Sequence, residues 1–118
     1  MQEITHNCGE MRKDHVGRTV ALAGWVNSYR DHGGVIFIDL RDREGITQIV
    51  FHPQQADAHE LADQFRNEDV VWVRGKCIDR QPGMDNPKMA TGTVELDADA
   101  AEILNKVEPP PFLPDDAH

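Results

Sequence analysis

At 118 residues, 39% hydrophobic and 28% charged, the chain has the size of one globular domain with a modest core and no room for a second. A net charge of −9 argues against strong non-specific attraction to phosphate backbones, and no apolar run approaches membrane-spanning length. Met1 to Asn7 lacks the basic-then-apolar layout of a signal peptide, and Cys8 and Cys77 lie far apart without metal-ligand spacing, so a cytoplasmic chain with free thiols and no metal is expected. The charge is uneven: residues 92 to 118 carry one basic against seven acidic residues, six of the nine excess negative charges. A local cationic site built from Arg30, Arg66, Arg80 and Lys88 therefore stays open.

In chain order, Asn7 or Cys8 opens a short helical turn over residues 9–15, which Gly17 suits as a C-terminal cap. Arg18 to Tyr29 reads as the first long strand, with Val20, Leu22 and Val26 inward and Gly24 where a bulge or a sharp coil would need no side chain. Residues 30–34 form a turn with two glycines. From Val35 to Arg41 the pattern alternates, so that Ile36, Ile38 and Leu40 face the core while Val35, Phe37, Asp39 and Arg41 face out. The polar turn 41–45 ends in a glycine that can take a positive φ. Thr47, Ile49 and Phe51 then form the next inward row, and Gln48 falls on the outer one.

His52-Pro53 breaks that strand, and residues 54–67 become helical, with Ala58, Leu61, Ala62 and Phe65 at helix spacing. Residues 69–80 return to strand with Val71, Val73 and Cys77 in one row and Gly75 as a second candidate bulge. Residues 81–87, with two prolines and a glycine, form a loop, and Thr91 to Leu104 gives the last strand with Val94 and Leu96 inward. The proline-rich acidic tail describes an extended linker.

Three strands, a helix and two strands, with glycines in the long members, is the order of an all-β, five-stranded Greek-key OB-fold barrel, here with a short N-terminal helix. Such barrels bind oligonucleotides on the face of their second and third strands, where Phe37 offers a stacking plane and Gln48 an amide to an unpaired base. Three parts are expected: an N-terminal helical cap over 1–17, the barrel over 18–106, and from 107 to 118 the start of a linker to a further domain. No glycine-rich phosphate loop and no Ser-His or Cys-His arrangement is evident, so no catalytic residue is assigned.

The run from Gly24 to Phe51, G-W-V-N-S-Y-R-D-H-G-G-V-I-F-I-D-L-R-D-R-E-G-I-T-Q-I-V-F, closely resembles the N-terminal anticodon-binding domain of bacterial-type aspartyl-tRNA synthetases. So do H-N-C-G-E at 6–10, N-P-K-M-A-T-G at 86–92 and L-N-K-V-E-P-P-P-F at 104–112. The resemblance implies that Phe37 stacks on the middle anticodon base, Gln48 hydrogen-bonds the anticodon, and Glu95 faces the first base. It implies that Arg30 contacts the anticodon or its backbone and Arg66 the nearby phosphates, with Arg80 in the same tRNA-binding set. Where the family often writes three consecutive arginines, this chain has Ser28-Tyr29-Arg30, two charges fewer. The resemblance further implies a homodimeric parent ligase that activates aspartate with ATP and magnesium. Its catalytic segment would lie beyond residue 118, and the piece described by this sequence would be a non-catalytic monomer without a cofactor.

Members of the family that charge both tRNA(Asp) and tRNA(Asn) resemble this chain at His32 and Gly83, which makes those two residues candidates for tRNA discrimination. A free-standing single-strand-binding barrel and a protein-binding barrel are the alternatives from other classes.

Overall fold

The computed structural model describes residues 3–107; the expected linker over 107–118 lies, apart from Val107, outside them. Five strands, β1 (Thr19–His32), β2 (Val35–Asp42), β3 (Gly45–Phe51), β4 (Val70–Asp79) and β5 (Val94–Asn105), close a barrel in the order β1-β2-β3-β5-β4, with one helix, α1 (Ala56–Ala62), between β3 and β4. This is the predicted OB-fold class. All pairings are antiparallel except the short β3–β5 seam, where Ile49 meets Leu96 and Val50 meets Asp97.

The expected phase of the hairpin holds. Ile36, Ile38, Leu40, Thr47, Ile49 and Phe51 are fully buried, while Phe37 and Gln48 are half-buried on the outer face. Val20, Leu22, Val26, Val71, Val73, Cys77, Val94 and Leu96 complete the interior. Trp72 points to the other side of β4 yet is 3% exposed, because the N-terminal segment covers it and its indole N–H donates to the Glu3 carbonyl at 2.8 Å.

Several elements depart from the sequence expectation. The helical turn over 9–15 contracts to one 3-10 turn, Lys13–His15, because the residues before it are held in other ways. Thr5 hydrogen-bonds along Ala21 of β1, Asn7 and Glu10 bond each other's backbone, and Cys8 N–H donates to Asp42 Oδ2 at 2.8 Å. β1 continues through residues 30–32, since Arg30, Asp31 and His32 pair with Phe37, Ile36 and Val35, and the turn shrinks to Gly33-Gly34, both at positive φ.

Gly24 is not a bulge. A Cβ there would stand 2.2 Å from the Arg41 carbonyl oxygen, so its missing side chain admits β2, and the β1 bulge falls at Asn27. At Gly75 the register does shift, but the extra residue, Asp99, belongs to β5. Helix α1 is half the expected length, yet Phe65 beyond its end still packs edge-on to Phe51 at 5.8 Å. The loop before β5 runs on to Thr93.

Candidate nucleic-acid interface

Pairing across the hairpin decides the composition of the outer face. Phe37 lies opposite Val50 and Asp39 opposite Gln48, so an apolar pair sits beside a polar one. The polar row extends to both flanking strands. From β1, the Arg30 guanidinium donates to Asp39 Oδ1 and Oδ2 at 3.3 Å each, to Ser28 Oγ at 2.7 Å, and to Gln48 Oε1 at 3.1 Å. From β5, Glu95 Oε1 accepts the Gln48 amide N–H at 2.8 Å. A cation on one side and a carboxylate on the other fix which way the Gln48 amide points, leaving its second N–H for a ligand.

Above this row opens a groove of about 480 Å³. The structure brings six of the predicted residues to it: Arg30, His32, Phe37, Gln48, Arg80 and Glu95. His32 is the last residue of β1 rather than part of a turn, and its ring stands edge-on to Phe37, centroids 5.6 Å apart at 77°. Arg80 is 8% exposed, and its guanidinium donates to the carbonyls of Val94 at 3.1 Å and Met84 at 3.4 Å, so it braces the loop over the groove.

Two predicted residues lie elsewhere. Arg66 lines a second, more open cleft with Tyr29, Asp63, Phe65 and Asn67, its guanidinium on the Phe65 and Asp63 carbonyls. Gly83 does not line the groove; it holds φ +82 with nothing within 4 Å of where a Cβ would stand, one residue before Met84, which does. Lys88 is exposed in the same loop. Tyr29 packs against the core, and burial, followed by the charge of Asp63, pushes its hydroxyl pKa up.

Sequence reasoning missed Ser28 and Asp39, which orient Arg30, and the groove residues Val50, His52, Ile78, Asp79, Gln81 and Met84. Val50 and His52 share the alternation that exposes Gln48 and could have been read from it. The β4–β5 loop residues carry no such periodic signal. Ser28 both accepts from Arg30 and donates to Asp39 at 2.9 Å, so its hydroxyl acts as a positioning contact between the two.

A closed five-stranded barrel with an aromatic and a polar row on its second and third strands is the architecture through which OB-folds take oligonucleotides. The chain belongs to the family of OB-fold nucleic acid binding domains, whose model matches residues 20–104. It is 54% identical over 113 residues to the aspartate–tRNA(Asp/Asn) ligase of Desulfatibacillum aliphaticivorans, a match covering 95% of this chain and 19% of that protein. The chain thus spans about a fifth of the length of the curated relatives it matches. Among solved structures, asparaginyl-tRNA synthetase from Pyrococcus horikoshii superposes with a TM-score of 0.73 at 27% identity, over 86% of this chain and 23% of that one. An OBody bound to hen egg-white lysozyme superposes with 0.77 at 27% identity, over 91% and 98%. Among the described residues no helix is long and apolar enough to cross a membrane.

Proposed function

We propose that this chain is the anticodon-binding domain of an aspartate-tRNA ligase and that the groove on β2 and β3 takes the unstacked anticodon bases. The observation that carries the reading is the half-buried Phe37 ring standing beside a Gln48 amide held in one orientation by Arg30 and Glu95. In this reading the middle base stacks on Phe37, the remaining Gln48 N–H donates to a base acceptor, and Glu95 accepts from the imino and amino donors of a guanine in first position. In the same reading Arg30 contacts the anticodon or its backbone and Arg66 the nearby phosphates, while Arg80, held on the Val94 and Met84 carbonyls, braces the groove wall. The parent enzyme, a cytoplasmic dimer, would use ATP and magnesium through segments other than this one. This chain alone should form no aspartyl-adenylate, so aspartate-dependent pyrophosphate exchange from it would refute the division of labour.

The reading extends to both tRNA(Asp) and tRNA(Asn), whose anticodons differ only in the third base. An imidazole at position 32 can donate to a uracil oxygen or accept from the cytosine amino group. The absent side chain at Gly83 leaves the open space beside Met84 unfilled. The similarity to the Desulfatibacillum aliphaticivorans aspartate–tRNA(Asp/Asn) ligase supports this extension. Titration with stem-loops carrying G-U-C, G-U-U and a scrambled loop tests both levels. Preference for G-U-C over the scramble is expected. The two cognate loops should bind within about tenfold, a gap below about 1.4 kcal/mol. No preference over the scramble defeats the anticodon reading; a preference of about a hundredfold for G-U-C over G-U-U defeats the relaxed specificity alone.

A further inference from the structure

The groove is short of cations for a ligand that carries phosphates. Arg30 is committed to Asp39, Ser28 and Gln48, and Arg80 to the carbonyls of Val94 and Met84. Asp79 and Glu95 add negative charge to the same walls. Both guanidinium groups keep their charge but are held by these contacts, and the further lining groups able to carry positive charge are two histidines: His32, edge-on to Phe37, and His52, immediately after β3.

His52 has an unfinished partnership. Its Nε2 stands 4.0 Å from Oδ1 of Asp97 on β5, too far for a hydrogen bond. That oxygen is sealed from solvent and has no hydrogen-bond partner among the described residues, although the Asp97 side chain as a whole is 35% exposed. An acceptor left in that state favours any donor that can reach it.

We propose that His52, positioned by Asp97, is a further contact of this groove and binds a backbone phosphate of the RNA in its imidazolium form. This rests on the reading of the groove as an RNA site. A neutral ring that turns Nε2–H to Asp97 leaves Nδ1 as an acceptor, which repels a phosphate oxygen; a second proton makes Nδ1–H a donor. Binding at this point therefore takes up one proton. The other titratable or charged groups around His52 are Arg30 and His32 from β1, Asp79 from the end of β4 and Arg80 just after it, and Glu95 and Asp97 from β5. β2 presents the uncharged Phe37. α1 buries Ala58 and Ala62 and carries His59, which is bonded to the Gly34 carbonyl.

The test titrates the G-U-C stem-loop onto the wild type, His52→Gln and Asp97→Asn at pH 6 and pH 8 across a salt series. Wild-type affinity should rise about threefold or more at the lower pH, the worth of one partly exposed ion pair. The slope of log affinity against log salt should steepen by about 0.7, the increment for one phosphate of a single strand. His52→Gln should lose both effects, and Asp97→Asn most of the pH-linked gain, with both variants melting close to the wild type. His52→Gln with the wild-type pH and salt dependence would overturn the proposal while leaving the groove reading intact. Failure of the wild type to prefer G-U-C over a scrambled loop at either pH would instead overturn the groove reading, and the proposal with it.

Discussion

The Gln48 amide donates to the Glu95 carboxylate at 2.8 Å across the parallel seam of β3 and β5, joining residues 47 apart in the chain. With Arg30 on the other side of the amide, the link turns three separate side chains into one preset row. Replacing Gln48 by Ala removes the donor to the base and frees Arg30 and Glu95 together. Anticodon stem-loop binding should fall by about 1 to 3 kcal/mol, the worth of a good side-chain-to-base pairing. Thermal melting should change little, because Gln48 is half-exposed and the core row beneath it is intact. Isothermal titration alongside a melting curve checks both halves.

Phe37→Ala should weaken the same binding by about 1 to 3 kcal/mol, the usual worth of one aromatic-base stack. The ring faces outward and is absent from the buried interior, so little packing is lost. Collapse of the melting temperature with binding merely following it would place Phe37 in the core and contradict the strand phase.

Gly24→Ala should be costly although the substitution is small. Its Cβ would lie 2.2 Å from the Arg41 carbonyl oxygen and 2.9 Å from the carbonyl carbon, backbone atoms that can move only by parting β1 from β2. A loss of about 1 to 3 kcal/mol is expected, the range for overfilling a packed interior. Urea unfolding with an unchanged m-value measures it.

Asp69 is fully buried immediately before β4, where its carboxylate accepts the N–H of Arg66 at 2.8 Å, the Lys106 ammonium at 2.6 Å and the N–H of Val107 at 2.8 Å. Burial pushes its pKa up, but the Lys106 ammonium and the two backbone donors outweigh it and hold the carboxyl below its ordinary 3.8. A depressed folded-state value means that the stabilisation is complete above the ordinary value and lost as pH falls through the lower one. Asp69→Asn should therefore cost about 2 kcal/mol at neutral pH, in the range for hydrogen bonds to a charged group. The gap to wild type should begin to close below about pH 4, near the ordinary carboxylate value, and go on closing as pH falls through the lower folded-state one. A gap constant down to pH 2 would refute this.

Cys8 and Cys77 are both fully buried and unpaired. Burial, reinforced by the nearby charge of Asp79, pushes the Cys77 thiol up to about 11; burial and Asp42 push Cys8 higher still. Since the thiolate is the nucleophile, neither should react with iodoacetamide in the folded chain at pH 8, and both should react fully in denaturant. Mass spectrometry after a timed pulse counts the adducts.

What the sequence by itself determined is the set of choices that depend on a local period. The two-residue repeat of a strand assigns each side chain a face wherever one face must be dry, so Ile36, Ile38 and Leu40 inward and Phe37 outward follow from residues 35–41 alone. The same repeat placed Gln48, and together with the helix spacing of Ala58, Leu61, Ala62 and Phe65 and the break at His52-Pro53 it set the order of elements and the barrel class. The tertiary structure decided everything that depends on register between distant strands. It brought Glu95 to Gln48 and Asp97 to His52, set the β1 bulge at Asn27 and not Gly24, and spent the Arg80 guanidinium on backbone carbonyls. It also cut α1 to Ala56–Ala62, while Phe65 reached the core from beyond the helix end. No local period encodes those outcomes, because barrel closure sets which residue lies opposite which, and a glycine's reason for being small is known only when the strand that crosses it is in place.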